Sequence, residues 1–216
     1  MKFGWMSVAA SGNQPAAVTR ESTRSLLIAN AVTLAMALVF QWPLSLLLWP
    51  YWIQSVVIGF FSGRRMLALQ RFSTEDVLVN DQPVEPTEAT KHSAVLFFAL
   101  HYGFFHLGYA FFIATRAEEL GRWDWIGIAV AALSFVWNHR FSYRQNIEAD
   151  AAGTPNIGTL MFLPYLRVIP MHLTILAGGV LTGGFSVLAV VVFCLLKTGA
   201  DVAMHFIEHK LLQRQA

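Results

Sequence analysis

Four ionisable residues stand four apart near the end of the chain: Lys197, Asp201, His205 and His209, in the otherwise apolar run "LLKTGADVAMHFIEHK". On a helix this spacing sets them along one stripe. A carboxylate and an imidazole on adjacent turns, Asp201 and His205, can hold one metal ion together. Two other apolar stretches carry histidines: His101 and His106 in "ALHYGFFHLGY", and His172 in "IPMHLTI". Imidazoles with one carboxylate suit a tetrahedral or open octahedral divalent site, zinc before iron. Water on such a metal has a pKa of about 7, so hydroxide would be at hand for hydrolysis. The expected ligands are His101 or His106, His172, Asp201 and His205. Asp201 and Lys197 form the expected catalytic pair, with the ammonium stabilising an oxyanion or holding an anionic substrate group. His101 and His106 lie five apart, about 140° around an ideal helix, so one ion reaches both only through a local distortion, for which Gly103 offers a place. Haem between two facing imidazoles is a further alternative that no feature selects.

Such groups need a scaffold, and the composition says which kind. The chain has 216 residues, 56% of them hydrophobic and 13% charged, with mean hydropathy +0.51. That is too apolar for a soluble domain of this length. Solid apolar runs, in place of alternating ones, point to helices and not to a barrel. The expectation is an all-α polytopic membrane bundle with six spans, near 25–41, 44–63, 93–115, 123–137, 159–181 and 185–212. Residues 1–24 read as a cytoplasmic lead-in without the apolar core of a signal peptide, 64–92 as an acidic cytoplasmic loop, and 213–216 as a tail. Pro164, Arg167 and Pro170 interrupt the fifth run, which suggests an interfacial or re-entrant lead-in to a shorter span starting near Arg167.

Charge sets the orientation. Twelve of the 15 Lys and Arg residues fall on the side of the termini, against Arg116 and Arg122 on the other. The positive-inside rule then makes both termini cytoplasmic, and a cell inner membrane is the expected location. Trp42, Trp49, Trp52, Trp123 and Trp125 flank the outer ends, as an aromatic belt would. At 1.5 Å per residue His101 lies roughly 10 Å into the third span, and His172, Asp201 and His205 fall in the same inner half of the bilayer. Intramembrane ionisable groups are costly and mark candidate sites. Arg167 and Tyr102 are the expected substrate contacts, with Tyr165 beside Arg167 at the inner interface able to meet a phosphate or carboxylate. The lone Cys194 permits no internal disulfide. No internal repeat is visible, so an inverted-repeat transporter is not indicated.

Three functions fit these features. One is a metal-dependent hydrolase of a lipid or other amphiphile. Another is a proton-coupled transporter or ion-handling protein using the same residues as a relay. The third is a structural subunit whose polar residues lock the bundle, with the acidic loop as its docking point. Membrane lipids are the expected partners and nucleic acid is not; the oligomeric state is open.

The motifs "YWIQSVVIGFF", "HYGFFHLGY", "RVIPMHLTILAGG" and "LLKTGADVAMHFIEHK", in that order, resemble an uncharacterised family of bacterial and archaeal integral membrane proteins. The resemblance runs from about Trp49 to His209. It singles out Tyr51, Trp52, Gly59, His101, Tyr102, Gly103, His106, Arg167, Met171, His172, Lys197, Asp201 and His205, and implies no activity. A looser likeness is to intramembrane zinc hydrolases of the alkaline ceramidase and adiponectin receptor type, which implies a cytoplasm-side site of histidines and an aspartate.

Overall fold

The computed structural model describes the backbone of residues 14–75, 77–115, 120–178 and 187–215, and side chains for 24, 27–28, 30–75, 77–115, 120–175 and 187–203. Six helices account for nearly all of it: α1 (Gln14–Val39), α2 (Leu44–Ala68), α3 (Glu88–Ala114), α4 (Arg122–Ala152), α5 (Ile157–Gly178) and α6 (Val187–Gln215). A single two-stranded hairpin, β1 (Leu78–Val79) with β2 (Gln82–Pro83), interrupts the connection from α2 to α3. The all-helical expectation holds. Of these helices, α2 and α3 are long and apolar enough to cross a membrane by length and composition.

Local chemistry explains where the helices start. Pro43 stands at the N-cap of α2 in extended conformation, where its missing N–H costs nothing. The Thr87 hydroxyl caps α3 by accepting from Thr90 N. At α4 the Asp124 carboxylate accepts from Gly121 N at 2.8 Å. Asn156 Oδ1 accepts from Thr159 N at 2.9 Å and starts α5. Asn80 and Asp81, with φ of 51° and 60°, make the left-handed turn that a tight hairpin requires. The acidic connection is thus ordered. Ser73 exchanges backbone bonds with Pro155 and Ile157, and Asn156 Nδ2 donates to Glu75 O, which ties the connection to the start of α5.

α2 occupies the centre, packed against α3, α4 and α5, while α6 fills the gap between α5 and α1. Phe193, Met66, Ile113, Ile157, Met171 and Val190 form the fully buried middle. The outward faces are apolar too. Leu100, Phe104, Leu107 and Phe111 on α3 are 66–76% exposed, at helical spacing, while Tyr102, His106 and Tyr109 on the same helix are buried. Polar residues inside and large apolar residues outside reverse the arrangement of a water-soluble helix.

Three sequence expectations need correction. α5 is one continuous helix through Pro164 and Pro170, without the expected interruption, and α2, α3 and α6 pack along it. Arg167 therefore lies ten residues inside α5, roughly 15 Å from its start, and His172 roughly 22 Å. α1 begins by Gln14 and α4 runs on to Ala152, beyond the expected limits of 25 and 137, since polar surface does not stop a helix that lacks a breaker. The α2–α3 connection shrinks to 69–87. Buried Lys91 donates to Leu69 O and Glu88, so it belongs to α3 and not to a solvated loop.

Candidate functional site

The histidines expected to share one ion stand in three separate hydroxyl pairs. His106 is buried between α2 and α3, with Nε2 2.9 Å from Ser55 Oγ and Nδ1 2.7 Å from Tyr102 O. A carbonyl only accepts, so Nδ1 carries the proton and Nε2 accepts from the Ser55 hydroxyl. Tyr102 stacks on this ring at 4.1 Å and its hydroxyl donates to Ser55 O. Trp52 Nε1 donates to His106 O, which turns this tryptophan inward from the expected belt. His101 Nδ1 lies 2.8 Å from the Tyr165 hydroxyl, and His172 Nδ1 lies 2.9 Å from that of Tyr109. Among the described residues no three His, Cys, Asp or Glu side chains gather as metal ligands. The His205 and His209 side chains lie outside the described residues. Tyr102, expected at a substrate, instead holds α3 against α2.

Glycine makes that contact possible. A Cβ on Gly59 would collide with the Tyr102 ring, which Phe98, His106 and Ser55 pin in place. Gly59→Ala is expected to destabilise the protein by about 1–3 kcal/mol, the usual cost of overpacking. Thermal unfolding in detergent measures it, and an unchanged midpoint would mean that the ring yields freely.

The charged residues do converge. Lys197 Nζ lies 2.7 Å from Asp201 Oδ2, one turn along α6, and donates to Asn30 Oδ1 of α1 at 2.8 Å. Arg167 Nη1 of α5 lies 3.8 Å from the other oxygen of Asp201, an ion pair too long for a hydrogen bond. Tyr51 of α2 completes the junction. Its hydroxyl donates to Arg167 O at 2.7 Å, and its ring lies 5.7 Å from Lys197 Nζ and edge-on to Phe193. Side chains of four helices, α1, α2, α5 and α6, thus meet around Lys197, Asp201 and Arg167. Asp201 and Lys197 were legible as a stripe, and Arg167 as a candidate contact, although not as a partner of Asp201. Asn30 and Tyr51 were missed as partners. The only local signal for Asn30 is an amide in the apolar run "LLIANAVTLAM".

Two cavities of about 460 Å³ each flank this junction. The first opens where α2 and α4 end and α5 begins. Ile58 to Arg65, His139 to Asn146 and Pro155 to Arg167 contribute its walls. The second opens where α2 and α4 begin, with Trp42 to Gln54, Trp123 to Phe135, Asn30 and Lys197 around it. They share no lining residue. One helical turn separates them on each wall, between Gln54 and Ile58 on α2 and between Phe135 and His139 on α4. Arg167 faces the first, Lys197 faces the second, and Asp201 pairs with both. In the first cavity Arg65 grips Asp150 through two bonds, 2.5 and 2.7 Å, a pair that the sequence reading missed because it ended the helix before Asp150.

Helices with apolar outer faces around an apolar core that encloses tyrosines, histidines and ion pairs define the class: an all-helical bundle with buried polar groups. The chain belongs to the family of unknown function DUF6498, whose family model matches residues 13–216. No curated protein and no solved structure matches the chain.

Proposed function

We propose that this protein spans the bacterial inner membrane six times, both termini cytoplasmic, and passes a small solute or ion across it by exchange of the Asp201 ion pairs. The single observation that carries this reading is the pair of separate cavities, one lined by Arg167 and the other by Lys197, the two cations that pair with Asp201. The apolar outward faces of α3 and α4 and the distribution of Lys and Arg support the membrane assignment. With that orientation the first cavity faces the cytoplasm and the second faces outward. A solute that displaces one cation from Asp201 leaves the carboxylate to the other, so occupancy of one cavity tightens the opposite wall. Alternating access of this kind needs two discrete arrangements of the junction.

The experiment is solute flux into proteoliposomes at varied pH and membrane potential, with Asp201→Asn beside the wild type. Coupled uptake that is lost in the variant is expected. Uptake of equal rate in both would sink the relay. The metal-hydrolase reading, with His101 or His106, His172, Asp201 and His205 as ligands and an amphiphile as substrate, predicts near-stoichiometric zinc or iron in gently purified protein. The structural-subunit reading predicts variants that lose stability and no specific flux.

A further inference from the structure

We infer that the Arg167–Asp201–Lys197 junction is a seat for one anionic group, a carboxylate or a phosphate. This rests on the two-cavity reading above and names the class of its solute. Charge balance carries the inference. Two cations share one carboxylate, and among the described residues no other acid pairs with them. Among the described residues, the amide of Asn30 and the ring of Tyr51 add neutral contacts to Lys197. Asp124 lines the same cavity as Lys197, but its carboxylate is engaged with the Gly121 amide at the start of α4. The side chains are 18%, 11% and 25% exposed for Arg167, Asp201 and Lys197, so a surplus positive charge is held largely out of water. An unbalanced charge at such depth is costly and calls for a counterion.

The donors are placed to receive one. Arg65 and Arg167 line the same cavity, yet they differ in availability. Arg65 commits both Nε and Nη2 to Asp150. Arg167 stands 3.8 Å from its carboxylate, so Asp201 does not consume its planar fork, which suits two-point recognition of carboxylate or phosphate. Ser62, Asn146 and Thr159 add hydroxyl and amide donors to that cavity, and Phe61 and Leu163 give it an apolar wall for the rest of the ligand. On the other side Lys197 offers the second cationic station, reached through the outward cavity. An anion on Arg167 competes with Asp201 for that cation and drives the carboxylate fully onto Lys197; an anion on Lys197 does the reverse.

The test is the unfolding midpoint of the full chain in phosphatidylcholine nanodiscs, titrated with acetate or inorganic phosphate. The decisive variant is Asn30→Asp, which sets a second carboxylate against Lys197 with almost no change of shape and so neutralises the junction. Lys197→Met, which removes one cation, is the second. A saturable rise of the midpoint in the wild type, lost in Asn30→Asp and in Lys197→Met, is expected. An identical rise in wild type and Asn30→Asp marks a general salt effect and overturns the inference, even if Lys197→Met fails to fold. A parallel series without added anion replaces part of the lipid with phosphatidylglycerol. A response to acetate or phosphate assigns an aqueous solute, a response to phosphatidylglycerol alone assigns a lipid headgroup, and both support the seat; a response to neither overturns it. Flux measured on the same protein reconstituted into proteoliposomes separates the two readings. Anion-dependent stabilisation without flux keeps the seat and removes transport, whereas flux of a neutral or cationic solute with no anion response keeps transport and removes the seat.

Discussion

Asp201→Asn is expected to abolish the proposed coupled flux and to lower the stability of the bundle by about 3–5 kcal/mol, the cost of removing one partner from a buried ion pair. The size follows from what remains. Lys197 and Arg167 stay in place, both largely shielded from water, and lose the carboxylate that serves them. The amide of asparagine keeps the shape and one acceptor but none of the charge, so the loss is electrostatic and not a packing defect. Adding Lys197→Met to Asp201→Asn removes one of the two stranded cations. The double variant is therefore expected to recover part of the loss, with a coupling of about 0.5–3 kcal/mol, as contacting residues show. Denaturant titration in detergent, followed by the fluorescence of the seven tryptophans, measures all four corners of the cycle. Additive single and double variants would show that Asp201 and Lys197 act independently despite their 2.7 Å separation.

Asp150→Ala is expected to cost about 3 kcal/mol, at the low end of the range for a buried pair because Arg65 keeps some access to water. Asp150 is 3% exposed and Arg65 21%, and the two parallel bonds between them fasten the last turn of α2 to the end of α4. Once the carboxylate is gone, the guanidinium faces the first cavity without its partner. The far half of α4, from His139 to Ala152, then loses its main polar tie to α2. Amide hydrogen exchange should rise in that half of α4 and remain unchanged near Trp123, where aromatic packing of Trp125 on Trp49 continues to hold the helices. Uniform exchange along α4 would show that the pair adds little to local order. Asp150→Asn, which retains shape and one acceptor, is expected to cost less than the alanine.

Much of the architecture was legible from local pattern. The apolar run from 93 to 115 announces most of α3, and the spacing of Lys197 and Asp201 announces a side-chain pair. Both depend on residues within a turn or two of one another. The fifth helix was misjudged for the same reason. Pro164 and Pro170 are breakers when α5 stands alone, and tolerable where α2 and α6 enclose it. The continuous helix places Arg167 ten residues and His172 fifteen residues from the start of α5, where His172 meets Tyr109 and Arg167 meets Asp201.

Residue types and their periods along the chain determine that this protein is a bundle of apolar helices with ionisable stripes. They also determine which of its charges can meet along a single helix. Which helix faces which was decided only on packing. Lys197 finds Asn30 across 167 residues, Ser55 finds His106 across 51, and Arg65 finds Asp150 across 85. A helical period specifies a direction around one axis and carries no information about the rotation or depth of a neighbour. Shape complementarity sets those, as where Gly59 leaves room for Tyr102, and so sets which hydroxyl each of His101, His106 and His172 meets.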